Sequence, residues 1–150
     1  MLKLNLPEFD HKISKKEDKL YIFDIVRKKY ILLLPEEWVR QHFLNYLINQ
    51  IHIPASHIRL EHGHVYNQTD KRSDILVFGN EGAVLLIECK APHIAIDDEV
   101  THQIGYYNAT LQLPYLAITN GIKHYYFKKE GLGYKQITEL PLWGEMIINF

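Results

Sequence analysis

The chain carries one cysteine, Cys89, in 150 residues, so no internal disulfide can brace it. Cys89 falls inside an apolar run and reads as a small buried filler rather than a thiol nucleophile. No apolar stretch approaches the roughly 20 residues that a membrane-spanning helix needs, and no membrane partner is expected. The first 19 residues are polar and charged, without the apolar core of a secretory signal, so the cytoplasm is the expected compartment. Charge of one sign is missing too: 17 Lys and Arg against 18 Asp and Glu leave a net charge of −1. No global basic field announces nucleic acid, and any such contact must be local or supplied by a partner. There is no GxxxxGK(S/T) phosphate loop and no room for a motor. Repeats and low-complexity linkers are also absent. His57, His62 and His64 lie close in sequence, but no second ligand cluster accompanies them. They read as solvated or core-edge histidines rather than zinc ligands.

What remains is an ordinary composition, 47% hydrophobic and 23% charged, with length for one domain and a real core. Residues 1–19 read as a flexible arm and 20–150 as a single domain. Residues 20–25 and 29–34 read as two strands joined by the basic turn Val26-Arg27-Lys28, a hairpin laid on the core. Pro35, Glu36 and Glu37 open a helix, since proline suits the first turn and acids there complement the helix dipole. The helix is expected over about 36–50. Trp38, Val39, Phe43, Leu44, Leu47 and Ile48 give it one wide apolar face, with Glu37, Arg40, Gln41 and Asn45 beside or opposite. A strand is expected over 56–61 and a second helix over 97–111. Further strands follow at 115–119, 122–128 and 133–138, with Asn120-Gly121 as a hairpin turn. The apolar tail 139–150 must dock on a sheet face or a partner.

The centre of the chain is residues 71–92, KRSDILVFGNEGAVLLIECKAP. Ser73 to Phe78 is a strand, Gly79-Asn80-Glu81-Gly82 is turn chemistry, and Ala83 to Cys89 is an apolar run of strand length. Glu88 and Lys90 are two apart and share a strand face. A carboxylate and an ammonium at the end of such a strand are costly unless paired, hydrated or bound to an ion. Asp74 lies fourteen positions before Glu88, and a hairpin would bring both acids together. Two close carboxylates repel unless a divalent cation sits between them. Magnesium, with hard oxygen ligands and water or phosphate for the rest, suits that site, and manganese would substitute. A lysine beside it would orient a water or offset phosphoryl charge. Lys71 and Arg72, just ahead of Asp74, are where a phosphate would be met.

Asp74…Glu88-x-Lys90 resembles the PD-(D/E)xK nuclease signature, with Ser73 where the motif name has proline. PEEWVRQ at 35–41, SDILVF at 73–78, ECKAP at 88–92 and the Gln103/Tyr107 pair as QxxxY resemble the N-terminal nuclease domain of type I restriction enzyme R subunits. This resemblance covers roughly residues 20–128. It implies a metal-dependent DNA endonuclease leaving a 5′-phosphate and a 3′-hydroxyl. Asp74, Glu88 and the backbone carbonyl of Cys89 would be metal ligands. Glu37, with Glu36 as the fallback, would add a helix carboxylate. Lys90 would act on the attacking water, and Gln103 and Tyr107 would stand beside the active site and the nucleic acid. The implied partners are DNA and restriction–modification subunits for translocation, methylation and specificity, with a homodimer left open.

Periodicity alone supports a mixed α+β domain. The resemblance implies a sandwich-like, restriction-endonuclease-like core: a helix-β-β-β-helix-β mixed sheet flanked by helices, with an extra N-terminal hairpin and extra C-terminal strands. The competing reading is a catalytically weak or inactive nuclease-fold module that binds DNA or assembles with proteins in a restriction or defence system.

Overall fold

A computed structural model describes residues 1–61, 73–98, 100, 102, 106 and 109–148, with the backbone alone described at Glu61, Ser73 and Asp74. Three strands come first: β1 (Ile13–Lys16), β2 (Lys19–Asp24) and β3 (Lys29–Leu32). They form an antiparallel sheet of their own in the order β1-β2-β3. Helix α1 (Pro35–Asn49) follows, then a single 3₁₀ turn at Ala55–His57 and strand β4 (Ile58–Glu61). Strands β5 (Ser73–Gly79) and β6 (Gly82–Cys89) make the central hairpin. Between β6 and β7 (Tyr115–Thr119), the described residues Val100, His102, Tyr106, Ala109 and Thr110 are helical. Strands β8 (His124–Glu130) and β9 (Gly133–Ile137) and helix α2 (Trp143–Ile148) complete the chain.

The main sheet has six strands in the order β4-β5-β6-β7-β8-β9. Its neighbours pair antiparallel except β6 and β7, which run parallel because a crossover joins them. The result is a mixed α+β domain.

Alternation along β6 divides the core. Leu85, Ile87 and Cys89 belong to the large cluster with Val39, Phe43, Leu44 and Leu47 of α1. Leu86 belongs to a second cluster with Leu116 and Phe127, joined by Val100. One face of the sheet therefore lies under α1 and the other under the segment that follows β6.

Two expectations change here. The segment 1–19, expected as a loose arm, holds Leu4 at 6% exposure, and the amide of Asn5 donates to the carbonyl of Gly121 at 2.8 Å. Residues 13–16 pair with β2 as strand β1. Leu2, Leu4 and Leu6 alternate with polar residues, but the run stops at Pro7 and forms no strand, and Leu4 alone of the three is fully buried. The second change concerns α1, expected to bury one face. Glu37, Arg40, Gln41, His42 and Asn45 are buried along with the apolar residues. Trp38 shows why. Its indole N–H donates to the carbonyl of Leu2, and its ring meets that of His11, so the N-terminal segment covers the helix's far side.

Candidate functional site

The hairpin β5–β6 is built around a fault in its pairing. Near the turn, Gly79 faces Gly82 and Phe78 faces Ala83. Beyond a register shift between Val77 and Phe78, Val77 faces Leu85, leaving Val84 without a partner. That one-residue bulge sets the far end of the hairpin. Continued without it, the turn register would set Asp74 against Ile87; with it, Asp74 and Glu88 are Cα partners. Since a one-residue slip exchanges the faces of a strand, the bulge decides whether the two acidic positions share a face.

Glu88 is 1% exposed. The Lys90 amine lies 3.4 Å from its Oε1, and the lysine side chain is 18% exposed. The carboxylate is thus taken from water while its cation keeps some access to solvent. The Lys90 amide donates to the carbonyl of Thr119 at 2.8 Å, which fixes the backbone just past the Cys89–Thr119 pair. Asn120 secures the loop beyond: its side-chain amide donates to the carbonyl of Ile94 at 2.8 Å, and its Oδ1 accepts from the amides of Ile122 and Lys123. Farther out, Asp97 accepts from the Tyr125 hydroxyl and from the Lys123 amine. The Tyr125 hydrogen bond, then Lys123, holds the Asp97 carboxyl below its usual range. The loop leaving Glu88 and Lys90 is therefore pinned to the start of β8 at two points.

Glu37 stands on α1, whose apolar residues pack on the opposite sheet face from Leu86. Its carboxylate pairs with the guanidinium of Arg40 and accepts from Gln41 Nε2 at 2.9 Å. Gln41 also donates to Asp24 Oδ2 at 3.0 Å, while Asp24 Oδ1 accepts from the amides of Val26 and Arg27. Burial, then the nearby Arg40, makes Arg27 a weaker base than usual. The cluster locks the β2–β3 turn onto the first turns of α1. Those turns lie at the same end of the sheet as Lys90. A cleft of about 330 Å³ is lined by both Pro35 and Pro92, and a Cβ at Gly121 would come within 3.0 Å of Val39. Glu36 is half-buried in the same turn.

The described residues thus bring Glu88, the Cys89 backbone and Lys90 together with the backbone of Asp74. Glu37 is joined to Asp24, Arg40 and Gln41. Lys71, Arg72, Gln103 and Tyr107 lie outside the described residues. Among the described residues, no group of three His, Cys, Asp or Glu side chains is placed to hold a metal. Sequence reasoning missed Asp24 and the contacts of Asp97, and read Asn120 only as a turn residue. Asp24 had a usable signal: an acid closing an apolar strand just before a tight turn is well placed to accept backbone amides.

Comparison with curated proteins and with solved structures returns no match. Residues 35–141 match the family model described as Type I restriction enzyme R protein N terminus (HSDR_N). That span runs from the first residue of α1 past the end of β9, taking in the whole six-stranded sheet. The chain belongs to the family of type I restriction enzyme R protein N termini.

Proposed function

We propose that this chain is a metal-dependent DNA endonuclease domain of the PD-(D/E)xK type, with a restriction-endonuclease-like core. The observation that carries the reading is the ladder itself: Asp74 opposite Glu88, and Lys90 ion-paired to Glu88 two positions on. Family membership supports DNA and restriction–modification subunits as partners.

The donor set fits magnesium, with manganese as substitute. Carboxylates and a backbone carbonyl are hard oxygen donors, and such sites leave positions for water and phosphate. Asp74, Glu88 and the carbonyl of Cys89 would hold the ion, with Glu37 contributing directly or through water. When bound, the ion supplies positive charge at the scissile phosphate and at the attacking water. The chain's own groups do the rest. Lys90, with its charge partly drawn toward Glu88, hydrogen-bonds the attacking water and orients it. Gln103 and Tyr107 hold the nucleic acid beside it, and Lys71 and Arg72 meet backbone phosphate. Arg40 and Gln41 hold the Glu37 side chain in place.

The test is nicking of supercoiled plasmid with magnesium or manganese, alongside calorimetric titration of each metal. Metal binding together with nicking that disappears in Asp74→Ala and in Lys90→Ala supports the enzyme, provided both variants retain the wild-type circular dichroism. Absence of metal binding and nicking in the folded wild type defeats it and favours the inactive assembly module.

A further inference from the structure

The N-terminal sheet precedes the family-matched span, and the proposed chemistry uses nothing on its outer face. The charge of the chain is unevenly divided. Residues 1–34 hold eight Lys and Arg against five Asp and Glu; residues 35–150 hold nine against thirteen. The near-neutral total therefore conceals a basic N-terminal part on an acidic body.

Register shows how these charges are arranged. In β2, Ile22 and Asp24 are fully buried toward the core, so Lys19, Tyr21 and Phe23 form the opposite face. Lys16 is the Cα partner of Lys19, Leu32 of Tyr21, and Tyr30 of Phe23. Tyr30 remains 48% exposed and meets Phe23 edge-on at 5.4 Å. The Lys12 amine lies 5.7 Å from the centroid of the Phe23 ring. At the edge, Asp18 is drawn to Lys15 at 3.5 Å, outside the Lys16–Lys19 pair. The outer face is thus a platform of tyrosine rings flanked by ammonium groups.

We propose that this face binds an unpaired stretch of DNA, with bases stacking on Tyr30 and Tyr21 and phosphates meeting Lys16 and Lys19. The rings choose the strand state. In a duplex the base faces are already stacked on one another and only their edges are offered, so exposed tyrosines gain little. An unpaired strand presents every base face, and aromatic side chains are the usual platform for it. The lysines add attraction that does not depend on sequence. This inference concerns binding alone and stands whether or not the chain cuts.

The experiment is fluorescence anisotropy of the full chain with a labelled, mixed-sequence single-stranded oligonucleotide in EDTA, where metal-dependent cleavage cannot contribute. The duplex of the same sequence serves as competitor. Saturable binding that prefers the single strand is expected. Tyr30→Ala should weaken it by about 5-fold or more, while Tyr30→Phe keeps it, because stacking needs the ring and not the hydroxyl. Combining Lys16→Gln with Lys19→Gln should flatten the slope of log affinity against log salt by roughly 1.4, at about 0.7 for each phosphate of a single strand no longer neutralised. All variants should share the wild-type urea midpoint. No saturable binding, preference for duplex, or unchanged affinity in a folded Tyr30→Ala protein would each overturn the proposal.

Discussion

The ring of His124 donates from Nε2 to the carbonyl oxygen of Asn5 at 2.8 Å, joining positions 119 residues apart. A carbonyl only accepts, so Nε2 carries the proton, and Nδ1 is free to accept from the Thr119 hydroxyl at 2.7 Å. Thr119 in turn accepts from the amide of Gly121. Burial lowers the pKa of His124 from its ordinary 6.5, and burial does the same to His42, whose ring is wedged among Trp38 and Phe9. Below that value the unfolded chain takes up protons that the folded one resists. The stability these neutral rings contribute is therefore present above pH 6.5 and is lost as pH falls toward the depressed folded values. Melting temperature should drop between about pH 8 and pH 5. In a variant combining His42→Gln and His124→Gln, the acid side of the profile should be flatter, whatever its absolute midpoint.

The Glu88–Lys90 pair should behave as a buried pair does. Lys90→Met leaves an acid at 1% exposure without that cation, and urea unfolding should report a loss of up to about 3 kcal/mol. Glu88→Gln combined with Lys90→Met should be less destabilised than the sum of the two single variants. Additive losses would mean that the 3.4 Å ion pair carries little energy.

Magnesium should raise the melting temperature of the wild type by mass action, because a ligand that binds only the folded chain stabilises it. The rise should vanish in Asp74→Asn. Persistence of the rise in that variant would assign the stabilisation to some other site.

Gly121 should be among the least replaceable residues. Its φ is +85°, and a Cβ there would meet Leu4 Cδ2 at 2.9 Å and Val39 Cγ2 at 3.0 Å. Gly121→Ala therefore combines backbone strain with a clash and should cost about 2–4 kcal/mol in a denaturant melt.

The elements that could be read from the sequence were those with a local cause. Pro35 with two acids behind it marks the start of α1, the apolar run of 83–89 marks β6, and residues 115–119 form a strand at the expected bounds. The opposition of Asp74 and Glu88 was reached by assuming that the strands pair, but the device that produces it was hidden. Val84, the unpaired residue of the bulge, sits in an unbroken apolar stretch where nothing distinguishes it from its neighbours. A side-chain-free neighbour accommodates it: a Cβ on Gly79 would lie 3.0 Å from Val84 Cγ1. The burial of Arg40, Gln41 and His42 was equally illegible. Gln41 is met by Asp24 at the β2–β3 turn, with Arg40 in the same cluster, and His42 by Phe9 of the N-terminal segment; helical periodicity records only the face turned to the sheet.

Leu4 and Asn5 both grip the bend after β7, and that same stretch of backbone receives the amide of Lys90. The opening residues are thus mechanically continuous with the strand end that carries the acid–lysine pair. A carrier protein or purification handle attached ahead of Met1 would tug on that bend.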